Sequence, residues 1–229
     1  MYQSKLRDAC WLTADRADAA GRIMLFYLLV LAASIPWLMP TMWVGRDFGA
    51  FWTAAELARH GHAADAYGDP ERSALVALFG SGVYPPFFYP PTALLFWLPF
   101  AFLPFAAAVA LWTAVTGSAY AMAIRTLLGG RSVVTALAYP GVLVCALYGQ
   151  NSFLSAALLS GAALTLDRYP ALAGILIGLL AYKPQLALLA PLALAMAGRW
   201  RTLGAAAFTV AVLLGGSVLA FGVEPWIAS

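Results

Sequence analysis

The chain has 229 residues, of which 63% are hydrophobic and 10% charged, with a net charge of +3 at neutral pH. Ordinary soluble domains carry about 25% charged residues, so most of this sequence cannot face water and it reads as an integral membrane protein. Its basic residues fall singly or in pairs between apolar runs, as topology signals do, and not in the single patch that nucleic acid requires; nucleic-acid binding is excluded.

Residues 1–22 are polar and carry Lys5, Arg7, Arg16 and Arg22, which predicts a cytoplasmic N-terminal segment. The uncharged run 23–44 is 22 residues long, enough as a helix to cross the ~30 Å hydrocarbon layer. It exceeds a signal-peptide core, contains Pro36 and Pro40, and has no small-residue cleavage site behind it, so it reads as a retained anchor. A long outer loop, 45–90, follows. It begins with Asp47 at the far water–lipid interface, then a short amphipathic helix over 51–60 that Gly61 ends, with Phe51 and Trp52 suited to an interface. Residues 62–73 are polar. The stretch 80–91 mixes prolines with aromatics and cannot be continuous helix, so it holds a fixed shape at low entropic cost.

The later apolar runs are 91–128, broken at Leu103 and Pro104, then 132–148, 152–166, 170–182, 184–198 and 203–221. Taken as a span, 91–103 would cover only about 20 Å and would place Arg131, Arg168, Arg199 and Arg201 opposite the N-terminal basic residues, against the positive-inside rule. Read as an interfacial or re-entrant helix, it restores the rule. The expectation is therefore an all-α membrane protein of seven spans, with one transmembrane domain over 23–221 and an outer end at 222–229. Several spans are short, and non-helical backbone at membrane depth survives only where it lines a cavity or is buried in protein; an outward cavity is implied. Cys10 and Cys145 lie on opposite sides of several apolar segments and read as free thiols.

Few groups can carry chemistry. Asp47 is either a base at the interface or a charge that pairs with Arg46 or caps the following helix. Lys183, flanked by apolar residues on both sides, either meets an anionic ligand such as a phosphate or snorkels to the interface. Gln150 and Asn151 form a polar pair between two spans that either serves a cavity or satisfies helix ends. His60, Asn151 and the set His62, Asp65, Asp69 and Glu71 have no metal-ligand spacing; no metal and no cofactor are expected. There is no glycine-rich phosphate cradle and no nucleophile elbow.

The order of these features, Asp47 before a short aromatic helix ending at Gly61, Ala66 and Tyr67, then Tyr89, Pro90 and Pro91, Gly149 to Asn151, and the 172–178 segment leading into Lys183 and Pro184, resembles the bacterial polyprenyl-phosphate-dependent glycosyltransferases of family 87. These include mannosyltransferases of phosphatidylinositol-mannoside synthesis and share the GT-C membrane fold. The resemblance implies a multi-pass protein of the bacterial plasma membrane and an inverting transfer of a hexose, mannose above all, from a polyprenyl-phosphate donor to a lipid or glycan acceptor. It implies Asp47 as general base, Lys183 and Tyr89 at the donor phosphate, and Gln150, Asn151 and Tyr67 in the substrate cavity. Family members are longer, so the chain matches their N-terminal part. Two other classes fit the same spans: a non-catalytic paralogue or assembly partner, and a transporter of lipid-linked sugars, although no repeated halves are found.

Overall fold

The computed structural model describes residues 13–38, 44–80, 82, 85–128 and 133–229. Lys5, Arg7, Cys10, Arg131 and the 39–43 end of the first apolar run lie outside the described residues. Every described element is helical: α1 (Ala14–Leu38), α2 (Arg46–Arg59), α3 (Asp69–Phe79), α4 (Leu94–Trp97), α5 (Phe105–Leu127), α6 (Val133–Leu137), α7 (Pro140–Tyr148), α8 (Ser152–Thr165), α9 (Pro170–Leu179), α10 (Ala190–Met196), α11 (Trp200–Phe221) and α12 (Glu224–Ala228), linked in places by 3₁₀ turns.

Three stretches are long and apolar enough to cross a membrane by themselves: Asp15–Ile35 in α1, and Phe105–Leu127 and Trp200–Phe221, which are α5 and α11. They leave large apolar side chains uncovered, among them Phe26, Trp37, Met122, Phe208 and Leu219, as lipid-facing helices do. The remaining apolar runs are built differently. The run 132–148 divides at Pro140 into α6 and α7, because proline has no amide proton for the ladder and restricts the residue before it. Pro184 likewise separates α9, with its 3₁₀ extension to Tyr182, from α10. Helix α9 has 10 residues, about 15 Å of rise. Three spans plus shorter apolar helices are what the described residues display; a count of seven is not among them.

The first helix begins at Ala14, nine residues before the apolar run itself, and α2 begins at Arg46, so that Asp47 sits inside its first turn. The polar segment after Gly61 is also more helical than its composition suggests: a 3₁₀ turn at Ala63–Tyr67 leads into α3. The run Pro91–Phe102 is a chain of short helical turns with Thr92, Ala93, Leu94 and Trp97 completely buried, so it enters the protein interior instead of lying on a surface.

An aromatic core joins these pieces. On α2 the stripe Phe48, Phe51, Ala55 and Ala58 faces inward with the three-to-four spacing of a helical face. Phe51 stacks on Trp97 with ring centroids 4.2 Å apart, and Phe48 lies 5.9 Å from Trp112 of α5. Helices α9 and α11 pack backbone to backbone: a Cβ at Gly174 would fall 2.3 Å from the Thr202 carbonyl oxygen, and one at Gly178 would fall 2.7 Å from that of Ala206. Because both sequences advance together along this contact, the two helices run parallel. The break after α9 consequently lies beside the middle of α11, where Ala181 and Pro184 share a cavity with Val210 and Leu214. At the opposite end of α8 and α9, Arg199 donates to Asp167 at 2.5 Å, which puts Arg168, Arg199 and Arg201 at one end of the bundle.

Candidate active site

Two left-handed glycines set the position of Asp47. Gly45 precedes α2 with φ 78° and Gly149 follows α7 with φ 68°, a conformation that costs glycine little and other residues much. The Gly45 amide donates to the Leu147 carbonyl at 2.7 Å, and a Cβ on Gly149 would stand 2.6 Å from Cβ of Phe48. The two chain turns are thereby pressed together, and Trp112 Nε1 holds the Gly149 carbonyl at 3.1 Å. With Phe48 driven into the core, Asp47, one residue earlier on the helix, is half-buried at its edge, where its carboxylate accepts a hydrogen bond from the Gln150 amide. The cap reading of Asp47 is corrected here: the cap position belongs to Gly45, and no side chain caps the helix.

The next residue continues the polar chain. Asn151 is fully buried; its Nδ2 donates to the Tyr89 hydroxyl at 2.7 Å and its Oδ1 accepts from Lys183 Nζ at 3.2 Å. The ammonium therefore turns inward to a buried amide instead of outward along the surface. Tyr67 donates from its hydroxyl to the Tyr89 carbonyl at 2.9 Å. All six residues singled out in the sequence, Asp47, Tyr67, Tyr89, Gln150, Asn151 and Lys183, thus meet in one hydrogen-bonded neighbourhood, although they are spread over 137 positions of chain.

Two supports were not legible in the sequence. Tyr182, completely buried, places its hydroxyl 2.6 Å from Ser155 Oγ and 3.3 Å from the Asn151 carbonyl oxygen, while Thr92 Oγ1 donates to the Ala181 carbonyl at 3.2 Å. Together they lock the Lys183 turn against the start of α8. A tyrosine or serine inside an apolar run carries no signal of its own, since either can end on lipid, solvent or core.

Burial pushes the Asp47 carboxyl above the ordinary carboxylate range, against the opposing pull of the Gln150 hydrogen bond and the Arg46 charge. A carboxylate made costlier to keep charged is a better proton acceptor. Burial also raises the Tyr67 and Tyr89 phenols, so both remain protonated donors. The histidine set behaves otherwise: His62 pairs with Asp65 at 3.5 Å in an exposed turn, and among the described residues no group of three His, Cys, Asp or Glu side chains is placed to hold a metal ion. Cys145 is buried as a free thiol.

A sequence model described as glycosyltransferase family 87 matches residues 87–229, more than half of the chain. The chain belongs to glycosyltransferase family 87. It is therefore a multi-pass membrane glycosyltransferase, acting between a sugar donor and an acceptor. Tyr89, Gln150, Asn151 and Lys183 fall within the matched stretch, whereas Asp47 and Tyr67 precede it. No curated protein and no solved structure matches the chain.

Proposed function

We propose that this family 87 enzyme transfers a hexose, mannose in the first instance, from a polyprenyl-phosphate donor to a hydroxyl of a lipid or glycan on the outer face of a bacterial plasma membrane, with inversion. The observation that carries the reading is the junction of Asp47 and Lys183 through the consecutive residues Gln150 and Asn151. A base and a cation held on one short polar turn suit a reaction that removes a proton at one point and releases a phosphate at another.

In this mechanism the Asp47 carboxylate takes the proton of the acceptor hydroxyl as the oxygen attacks the anomeric carbon. The bond from that carbon to the phosphate oxygen breaks, and its electron pair leaves with the polyprenyl phosphate. Lys183, a compact point charge, offsets the charge developing on the departing phosphate, and the Tyr89 region holds the same group. An apolar cavity of about 640 Å³ starts at Pro90 and Pro184, immediately beside this turn, and runs along Ala187, Leu194, Ala206 and Val210; it gives an isoprenoid chain a place to lie. The reading retains seven passes, the short helices crossing with ends recessed at the polar turns, the Arg168 and Arg199 end cytoplasmic, and the 45–90 and 222–229 segments outside.

The test is transfer of radiolabelled mannose from polyprenyl-phosphate mannose in membranes of matched expression. Asp47→Asn nearly preserves shape and should lower transfer by at least the roughly 10²-fold typical of a lost acid–base group. Undiminished transfer would leave Asp47 as an interfacial charge. Movement of intact donor across the membrane without any transfer would favour a transporter.

A further inference from the structure

Next to the Tyr67–Tyr89 hydrogen bond lies a second cavity, of about 700 Å³, whose wall includes Tyr67, Glu71, Phe87, Phe88 and Tyr89. Glu71 is its unusual member. It shares the inward face of α3 with Leu75, a helical position that would ordinarily take an apolar side chain. Only 2% of Glu71 is exposed, and its Oε1 is the one buried carboxylate oxygen among the described residues without a hydrogen-bond partner. Leaving such an oxygen unsatisfied is costly, and a cost borne in a cleft is a mark of a binding site.

The surroundings define what would satisfy it. Asp69 and Arg72, both exposed, lie on the same wall with opposite charges. The donor phosphate is disfavoured by two acidic side chains, Glu71 and Asp69, on this wall. Aromatic rings on one side and a lone acceptor oxygen on the other suit a sugar ring, which presents C–H faces and hydroxyl donors together.

We infer that this cavity is the subsite for a neutral, polyhydroxylated sugar of the acceptor, one of whose hydroxyls donates to the Glu71 carboxyl. The assignment rests on the transferase reading for the word acceptor, and on the cavity alone for the sugar. Tyr67 and Tyr89 belong both to this wall and to the Asp47 neighbourhood, so a sugar seated here lies beside the groups that would activate its hydroxyl.

The experiment uses the full chain in phosphatidylcholine nanodiscs without donor, titrated with methyl α-mannoside, methyl α-glucoside and a methyl mannobioside. Wild type should bind at least one of them saturably. Glu71→Leu should weaken that affinity about tenfold, as loss of a buried hydrogen bond does; the isosteric Glu71→Gln should retain part of it. Phe88, 81% exposed and so dispensable for folding, should weaken binding a few-fold as Phe88→Ala, which keeps the test informative if Glu71→Leu does not insert. Absence of binding to all three glycosides, equal affinity across wild type, Glu71→Gln and Phe88→Ala, or tighter binding of glucose 1-phosphate or methyl glucosaminide than of the neutral glycosides would overturn the subsite. The two readings fail separately: Glu71-dependent binding without transfer from any polyprenyl-phosphate sugar removes the donor assignment and keeps the subsite, whereas Asp47-dependent transfer with an acceptor KM indifferent to Glu71 and Phe88 does the reverse.

Discussion

Helices α5 and α11 are continuous for 23 and 22 residues and leave much of their apolar surface uncovered, whereas the run from α7 to α10 is interrupted at Gly149, Lys183 and the prolines that follow tyrosines or lysine, and buries Asn151 and Tyr182 beside those interruptions. The difference is one of backbone supply. A continuous helix satisfies its own amides and carbonyls and can stand in lipid; each interruption frees polar groups that need partners, and the partners recruited by the Asn151 and Ala181 carbonyls, Tyr182, Ser155 and Thr92, lie around the candidate catalytic pair. The polar site is thus assembled at the places where the membrane helices fail to continue.

Substitutions that treat the two regions alike should have unlike effects. The largest is expected where broken and continuous helices touch: Gly174→Val places a side chain against the Thr202 carbonyl and the Ala206 amide, backbone atoms that cannot turn aside, and should destabilise by about 3 kcal/mol, at the top of the usual overpacking range. Yield of folded protein and apparent Tm in detergent check it, and a wild-type Tm would show that α9 and α11 separate freely.

Next in size is the interruption itself. Lys183→Gln should weaken binding of a short-chain polyprenyl-phosphate analogue by at least about tenfold, the scale of a charge-assisted hydrogen bond, while Lys183→Arg keeps the charge and retains part of the affinity. Equal affinity for wild type and Lys183→Gln in a lipid-reconstituted titration would reduce the lysine to a structural partner of Asn151.

A smaller effect separates the buried carboxyl of α3 from the exposed acids. Burial pushes the Glu71 carboxyl up to about 7 from an unfolded value of 4.5. Below pH 4.5 both states hold the proton; between there and pH 7 only the folded state does, so its stability contribution is lost as pH rises through that window. Apparent Tm should fall by a few degrees from pH 5 to pH 7.5, and Glu71→Gln should flatten that slope. A slope unchanged in the variant would assign it to other groups. The smallest effect belongs to the continuous helices: Leu219→Ala, at a position 89% exposed, should shift stability by no more than about 0.5 kcal/mol, the ordinary range for surface sites.

Composition and run length made the membrane class and the helical fold class legible, and the lone polar residues Asp47, Gln150, Asn151 and Lys183 stood out because each interrupts or borders an apolar run. Of the alternatives for Asp47, capping falls away only in three dimensions, since the left-handed Gly45 that takes the cap position bonds to the Leu147 carbonyl across the fold. The break at Pro140 was not legible, because hydropathy averages over an interruption that hydrogen bonding cannot ignore. Glu71 looked like one more acid in a polar loop, because burial on α3 depends on which face meets the core.

What the sequence determined by itself is therefore local: solvent class, the long helices, the turn chemistry of glycine and proline, and the few polar residues too costly to place in lipid without a use. The tertiary structure alone decided which of those residues meet. Asp47 reaches Gln150 across 103 positions because two glycine turns and the Phe48 side chain fit one against the other, and Lys183 reaches Asn151 because α9 runs parallel to α11 and stops at its middle. Such meetings arise from packing between segments distant in sequence, where shape complementarity and the satisfaction of buried polar groups, neither of them a property of any one segment, fix the outcome.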